Sequence, residues 1–450
     1  MTPYPEYKAT SLPWLPQIPA HWDWLMLSQL TEEQCVKNIG CLENNVLSLS
    51  YGNIVRKKNI YSGLSPQDFA TYQIVYQDNI ILRLTDLQND HRSLRTGLVK
   101  EKGIITSAYT CLKVHSNASF VHYLLHAYDL RKVFYGMGGG VRQSIGFKDI
   151  RSLRFPVAPV AEQEQIVRYL DSMTAKINKL IRAKKNQIAL LQEQKQAIIN
   201  QAVTKGLNPN AEMKDSGIDW LGQIPAHWEI SRCKYLLRET NFRSENGDEE
   251  HLSMSQKDGL IPDSQLDGHH LMSESYIGGK ICKKNDLVLN RLKAHLGVFA
   301  LAPQLGVVSP DYTILNINCK KVLPRYIEHV LKSNSCRSEL RIRVRGIVEG
   351  FWRLYTDDLY DITLPLPSIE EQQQILNSAE EKTKILDKCL SDCVENIKLL
   401  KEYLDSLIAS VVTGQVDVRN IAVEDFDPAD LITETDDDPA KDESPEESEE

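Results

Sequence analysis

The 450 residues leave room for two to four domains, and 42% apolar with 25% charged residues is the balance of a globular chain with sizeable cores. No run of eighteen apolar residues occurs and MTPYPEYK lacks a basic-then-apolar leader, so neither a membrane span nor a signal peptide is expected. The net charge of −9 is uneven: Ile421–Glu450 holds fourteen acidic residues and one lysine, a local −13, which leaves +4 on residues 1–420.

From the N-terminus, the first landmark is Trp14-Leu15-Pro16-Gln17-Ile18-Pro19-Ala20-His21-Trp22. It returns at Trp220–Trp228 with one residue of nine changed. Further blocks return in the same order. Leu47–Ser50 matches Leu252–Ser255, Asp78–Arg83 matches Asp286–Arg291, and Gly103–Thr110 matches Gly306–Thr313. Pro156–Thr204 then aligns with Pro365–Thr413 without a gap at an offset of 209. The chain is one unit written twice, a globular part followed by a long helix.

The globular parts, roughly 12–155 and 213–364, read as mixed α/β. Asn79–Leu84, Ile104–Tyr109, Asp286–Asn290 and Val307–Thr313 are β-branched runs bounded by Gly, Pro, Asn or Asp, which predicts strands. Their uneven spacing points to a mostly antiparallel or mixed sheet. Helices are expected near Phe120–Tyr128 and Pro324–Lys332.

The Pro-rich segments Phe155–Pro159 and Leu364–Pro367 should end a strand and start a helix. In the second copy Leu386, Cys393, Leu400 and Leu407 recur every seven residues, with Leu390, Ile397, Leu404 and Val411 four after each. That is a coiled-coil seam of nearly four heptads. In the first copy the seam is Ile177, Ile181, Ile188, Leu191 and Ile198, with Lys184 and Lys195 interrupting it. Each helix is the other's obvious partner, and an antiparallel, pseudo-twofold pairing closes the molecule most simply. The nine scattered cysteines form no CxxC pair and read as reduced thiols of a cytoplasmic protein. Residues 421–450 read as a disordered acidic appendage.

Catalytic signals are thin. Ser309-Pro310-Asp311-Tyr312 loosely resembles the loop of amino-methyltransferases, yet the second proline is missing and the duplicate copy has Thr106-Ser107-Ala108-Tyr109. Gly136–Gly140 has no GK[ST] and so no nucleotide-binding loop; it reads as a turn near DNA phosphate or as a plain loop. His21 and His227 have no companions at metal-ligand spacing, so packing or hydrogen bonding at the domain entrance is expected and no metal site. The mildly basic balance of residues 1–420 permits nucleic-acid binding, and base reading would need Arg, Lys, Asn or Gln. The first copy offers Arg83, Asn89, Arg92, Arg95, Lys100, Lys102, Arg142 and Gln143. The second offers Arg291, Lys293, His295, Arg341, Arg343, Arg345 and Arg353. The alternation of Arg341, Arg343 and Arg345 would place them on one strand face. Each of these cations reads equally as a solvated charge or as a DNA contact. Among contacts, phosphate positioning ranks ahead of base readout.

The motif Asp219–Trp228 and the motif Pro365-Leu366-Pro367-Ser368-Ile369-Glu370-Glu371-Gln372 resemble those that open the recognition domains and the conserved helices of Type I restriction–modification specificity subunits. The first copy is eroded at Ala158 and Ala161. The resemblance covers nearly the whole chain. It implies two target-recognition domains (1–155 and 208–364), two conserved helices (156–207 and 365–420) forming an antiparallel coiled coil, and the tail 421–450. It further implies a non-catalytic subunit that binds a bipartite, asymmetric double-stranded DNA site. Two methyltransferase subunits would dock on the helices, for example around Ile166, Leu170 and Ile375, and restriction subunits would join them. S-adenosylmethionine, ATP and magnesium would then sit on the partners, with no cofactor on this chain. A fused methyltransferase or nuclease and a coiled-coil adaptor with no DNA role are the rival readings.

Overall fold

The computed structural model describes residues 2–50, 52–57, 69–85, 87, 94–137, 145–255, 259–266, 276–346 and 352–431. The chain divides into two compact units, Met1–Asn186 with Val394–Glu450, and Gln187–Cys393. These units cut the chain differently from the duplication. Both boundaries fall inside a long helix, so each unit holds the early part of one helix and the late part of the other.

In the first unit a six-stranded sheet runs Thr31–Gln34, Thr110–Val114, Ile80–Leu82, Thr96–Leu98, Asn53–Arg56, Leu47–Ser50. One pair, Thr96–Leu98 with Asn53–Arg56, is parallel and the rest are antiparallel. A three-stranded sheet of Gly103–Ile105, Gln73–Val75 and Val36–Lys37 lies beside it in sequence. The expected run Ile104–Tyr109 is thus the end of one strand and the turn that leads to the next, in which Tyr109 N–H donates to Thr106 O at 3.3 Å. The expected helix near Phe120 spans Ala118–Leu130 and is capped by the Asn117 side chain on Phe120 N–H. Its Phe120, Leu124, Leu125 and Tyr128 are buried in one core with Trp22, Leu27, Ile80 and Leu112.

The second unit repeats this plan with fewer paired strands. Its four-stranded sheet runs Leu237–Thr240, Tyr312–Ile317, Leu287–Asn290, Phe299–Leu301, all antiparallel. Leu252–Ser255 pairs with Gly259–Pro262, and Lys280–Cys282 with Gly306–Val308. The helix Pro324–Lys332 starts on its proline, where the missing N–H costs nothing.

As expected, the strand ends and the helix begins within each Pro-rich segment: Pro159 and Pro367 lie between the two elements, while Pro156 and Pro365 sit inside the last strand. Arg154–Val157 pairs with Asp23–Met26, and Thr363–Leu366 with Glu229–Arg232. Two-stranded ribbons have open edges, so Pro156 and Pro365 remove no ladder bond that a central strand would need. The helices follow as Val160–Lys205 and Ile369–Val412, 46 and 44 residues long. In the second, Ser368 Oγ accepts the Glu371 N–H at 3.2 Å, half of a capping box.

Within each unit the helices run antiparallel and share a core. In the first unit Ile166, Tyr169 and Leu170 pack with Leu407, Ile408, Val411 and Val412. In the second, Ile199, Ala202 and Val203 pack with Ile375 and Ala379. The seam follows the heptads. Ile177, Ile181, Cys393 and Leu407 are buried, while Ile188, Leu191, Ile198, Leu386, Leu390, Ile397, Leu400 and Leu404 are half-buried. Lys195, which interrupts the seam, pairs with Asp387. One expectation is overturned here: Ile166, Leu170 and Ile375 are all 0% exposed and offer no partner a surface. The exposed large apolar side chains of the two long helices are Val160, Leu180, Leu190, Ile385, Val394, Leu399 and Tyr403.

The reading of 421–450 as a detached appendage fails for its first part. Ile421 and Val423 pack on the first core, and Gln165, Ser172 and Asn178 of the first helix donate to the carbonyls of Ile421, Glu424 and Asp430. Residues 432–450 lie outside the described residues.

Candidate nucleic-acid interface

The repeated motif supplies the joint between sheet and helix. In the second unit the chain turns at Pro225, with Trp228 N–H donating to Pro225 O at 3.0 Å, and buries the indole. Trp228 Nε1 donates to Glu371 Oε1 at 2.9 Å, and His227 Nε2 lies 2.9 Å from Glu371 Oε2. The first unit repeats this, with Trp22 Nε1 at 3.1 Å and His21 Nε2 at 2.9 Å from the two oxygens of Glu162. There the Tyr4 hydroxyl also donates to Glu162 Oε1; burial and that carboxylate push its pKa well above the usual range. His21 and His227 therefore hydrogen-bond at the domain entrance.

Two features of the joint were missed in the sequence. Lys8 and Lys214, which keep the motif's own offset of 206, each donate to the carbonyl of the motif's last tryptophan. Gly206 and Gly414, both with φ of +74°, end the two helices against Trp228 and Trp22. Extending the alignment by six residues would have found the lysines.

The cations divide into buried struts and an exposed group. Arg95, expected on DNA, is 0% exposed and is withdrawn from that role. Its backbone N–H donates to Asp129 Oδ2 at 2.6 Å, its Nε to Tyr135 Oη at 3.0 Å, and its guanidinium to Thr85 O at 2.6 Å. It ties the chain at Arg83–Thr85 to the helix Ala118–Leu130. Arg83 is half-buried, Lys100 is exposed, and Lys102 pairs with Glu43 at 3.2 Å. Asn89, Arg92, Arg142 and Gln143, with Gly138–Gly140, lie outside the described residues.

In the second unit, the strand expected for Arg341–Arg345 is instead the end of a helix, Asn334–Arg343. Ser333 caps it by accepting Cys336 N–H, and the buried Cys336 and Leu340 fix its inner face. Arg341 and Arg343 therefore diverge by about 200° around the axis instead of sharing a face. Arg343 turns to Glu339 at 2.6 Å and Arg345 to Asp358. Arg337, one helical turn before Arg341, lies over the turn Ala294–Leu296, with its Nε 3.3 Å from the position a Gly297 Cβ would take.

This brings together His295, Arg337 and Arg341, with the Trp352 ring edge-on to His295 at 6.0 Å, and Lys293 precedes the same turn. Burial, seconded by the Arg341 charge, lowers the pKa of both His295 and Arg337. Arg291 closes one side, donating to Thr313 Oγ1 at 2.6 Å and facing Glu239 at 3.3 Å, while its carbonyl accepts Leu354 N–H. Arg345 and Arg353 pair through their backbones. Among the described residues Lys293, Arg341 and Arg353 have no acidic partner. Concentrated, unneutralised cations beside an aromatic edge suit a phosphate track with room for a base contact. Arg337 and Trp352 were not singled out in the sequence; the i,i+4 spacing of Arg337 and Arg341 was the available signal.

The remaining catalytic candidate is a turn. Tyr312 N–H donates to Ser309 O at 3.1 Å, just as Tyr109 does to Thr106 O in the first unit. Among the described residues no group of three or more His, Cys, Asp or Glu is placed to hold a metal ion. No helix among them is long and apolar enough to cross a membrane.

The chain is thus a doubled module, with a globular body bolted to a long helix in each copy. Residues 97–190, from the strand at Thr96–Leu98 into the first long helix, match the family model of the Type I restriction modification DNA specificity domain. Over 438 residues the chain is 22% identical to a putative type I restriction enzyme specificity subunit of Methanocaldococcus jannaschii, covering 90% of this chain and 95% of that one. A chain from a solved structure of a type I R-M system, described for complex assembly and conformational transition, superposes with a TM-score of 0.57 at 13% identity. That match covers 89% of this chain and 99% of the other, and shows the same fold. The chain is thus similar over nearly its whole length to a putative type I restriction enzyme specificity subunit, and it shares the fold of a chain from a type I R-M system.

Proposed function

We propose that this chain reads a bipartite, asymmetric double-stranded DNA site in the cytoplasm and carries two methyltransferase subunits, joined by restriction subunits. The observation that carries the reading is the doubled joint, Trp22–Glu162 and Trp228–Glu371, which fixes a globular body to the same turn of each helix. Two bodies built alike but differing between their shared blocks suit two different half-sites. In the second, Lys293, Arg341 and Arg353 follow the phosphates, and the long helices set the unread spacer. The chain does no chemistry itself. Adenine methylation would use S-adenosylmethionine held by the methyltransferase subunits, and cleavage would use ATP and magnesium held by the restriction subunits. Sequencing methylated adenines in cells with and without this gene tests the reading. One bipartite motif lost with the gene is expected; an unchanged methylome rejects it. Methyl transfer to DNA by the purified chain alone, from labelled S-adenosylmethionine, would instead make it an enzyme.

A further inference from the structure

The two long helices are equivalent in register, yet among the described residues a stretch covered on one is exposed at the corresponding positions of the other. From Gly414 to Leu431 the chain stays with the first unit. It bridges Thr2 at Asp417, buries Val418, and then runs along the first helix as far as Leu431. Gln165 Nε2 donates to Val418 O and Ile421 O at 3.1 and 2.8 Å, Ser172 Oγ to Glu424 O at 3.1 Å, and Asn178 Nδ2 to Asp430 O at 3.0 Å. Lys176 meets the Glu424 carboxylate at 2.8 Å, and Arg182 meets that of Asp430. Ser172 and Asn178 are buried beneath this strap, at 3% and 4% exposed. The covered stretch, residues 165–182, is about 25 Å of helix.

The gap-free offset of 209 puts Gln374, Glu381, Ile385, Asp387 and Ser391 at the corresponding places on the second helix. All five are exposed, Ile385 at 72%. The cause is chain continuity. After the first helix, Gly206 leads within seven residues to the strand Met213–Asp215, so the segment that follows that helix is too short to lie on the second.

We propose that residues 418–431 are an autoinhibitory strap that makes two otherwise equivalent docking faces unequal. This rests on the reading that methyltransferase subunits dock on the helices. The first copy binds the open face of the second helix, and the second must displace the strap from the first helix. Assembly is therefore stepwise, with a one-to-one complex as a populated intermediate.

The test titrates the full chain with its methyltransferase subunit by native mass spectrometry. It is run beside a chain ending at Asn420 and a full-length E424K/D430K chain, in which the strap repels Lys176 and Arg182. Hydrogen exchange over residues 421–431 reports release, and a thermal melt reports folding. If the truncated chain fails to fold, the charge-reversed chain decides; if the latter fails to release the strap, the truncation decides. Expected is a second binding step at least tenfold weaker than the first in the full chain, and two steps within about twofold once the strap is freed. Equal steps in the full chain, or an unchanged ratio after release, overturn the strap. Failure of every chain to bind any methyltransferase subunit rejects the docking reading instead.

Discussion

Trp228 donates its indole N–H to Glu371 at 2.9 Å across 143 residues of chain, and His227 takes the other oxygen of the same carboxylate. The contact joins the first and last blocks of a copy, so helix and globular body cannot separate without stranding a buried indole N–H. In the first unit the same carboxylate, Glu162, has a third donor in Tyr4 and its side chain is more deeply placed, 6% exposed against 23%.

Replacing these carboxylates by alanine should therefore be unequal. Losing a buried acceptor costs about 1–3 kcal/mol per stranded donor. Glu162→Ala strands Tyr4 and Trp22, whereas Glu371→Ala strands Trp228 alone. Urea unfolding followed by tryptophan fluorescence should show the larger loss for Glu162→Ala. Equal losses would mean that water replaces the carboxylate in both units.

Much of this was legible in the sequence, because a duplication prints every structural requirement twice. The helix pair, the seam from Leu386 to Leu407 and the hydrogen-bonding histidines follow from repeated spacing. The cations were harder. Arg95 and Lys100 look alike in sequence; what separates them is the cage of Thr85, Asp129 and Tyr135, which forms only when distant segments pack. Arg341–Arg345 reads as an alternating strand, yet Ser333 as a cap and Cys336 and Leu340 as inward positions make it the end of a helix. The strap escaped because an acidic composition outweighed two apolar residues, Ile421 and Val423, whose partners lie on a helix about 250 residues earlier.

Acid should loosen the first unit through its buried histidines. Burial lowers His122 to about 3 and His126 to about 4. The unfolded chain takes up those protons near pH 6.5, so this contribution is full above pH 6.5 and is lost as pH falls toward 4. Asp405, with His126 Nε2 at 4.0 Å, works the other way. Burial raises it to about 6, so its contribution is present at low pH and lost as pH rises through the window between 4 and 6. Relative to the parent, His126→Gln should gain stability as pH falls from 6.5 to 4, while Asp405→Asn should gain as pH rises from 4 to 6. Melting temperatures across that range check both signs; parallel curves for parent and His126→Gln would mean that His126 stays hydrated.

The salt dependence of DNA binding should sort the cations of the second unit. Lys293 and Arg341 have no acidic partner among the described residues, so each contributes a full charge to a phosphate. Arg343 and Arg345 are engaged by Glu339 and Asp358. In the assembled complex Lys293→Ala with Arg341→Ala should lower the slope of log affinity against log salt by about two. Arg343→Ala with Arg345→Ala should lower it by less than one. Arg95→Ala should leave the slope alone and lower the melting temperature. A reversed ranking would move the DNA track to the other side of the helix Asn334–Arg343.

If the long helices set the unread spacer, lengthening them should lengthen it. The insertion must respect both the seam and the cores. Residues 199–203 are unsuitable, since Ile199, Ala202 and Val203 belong to the second core. The stretches around Asn186 and Asp392 are exposed and lie where the two compact units divide. Seven residues added after each keep every a and d position in phase on both helices. Each helix grows by about 10.5 Å, and at about 3.4 Å per base pair that is roughly three more unread pairs. The two half-site sequences should stay as they are, because neither globular body is altered. A four-residue insertion in one helix alone breaks the seam and should abolish assembly, which separates loss of folding from a change of spacing. Methylated-adenine sequencing in cells carrying the matched insertions gives the result directly. The same halves about three pairs farther apart support a ruler. The same halves at the old spacing would mean that the helices only dock partners, and new halves would place base reading in the helices themselves.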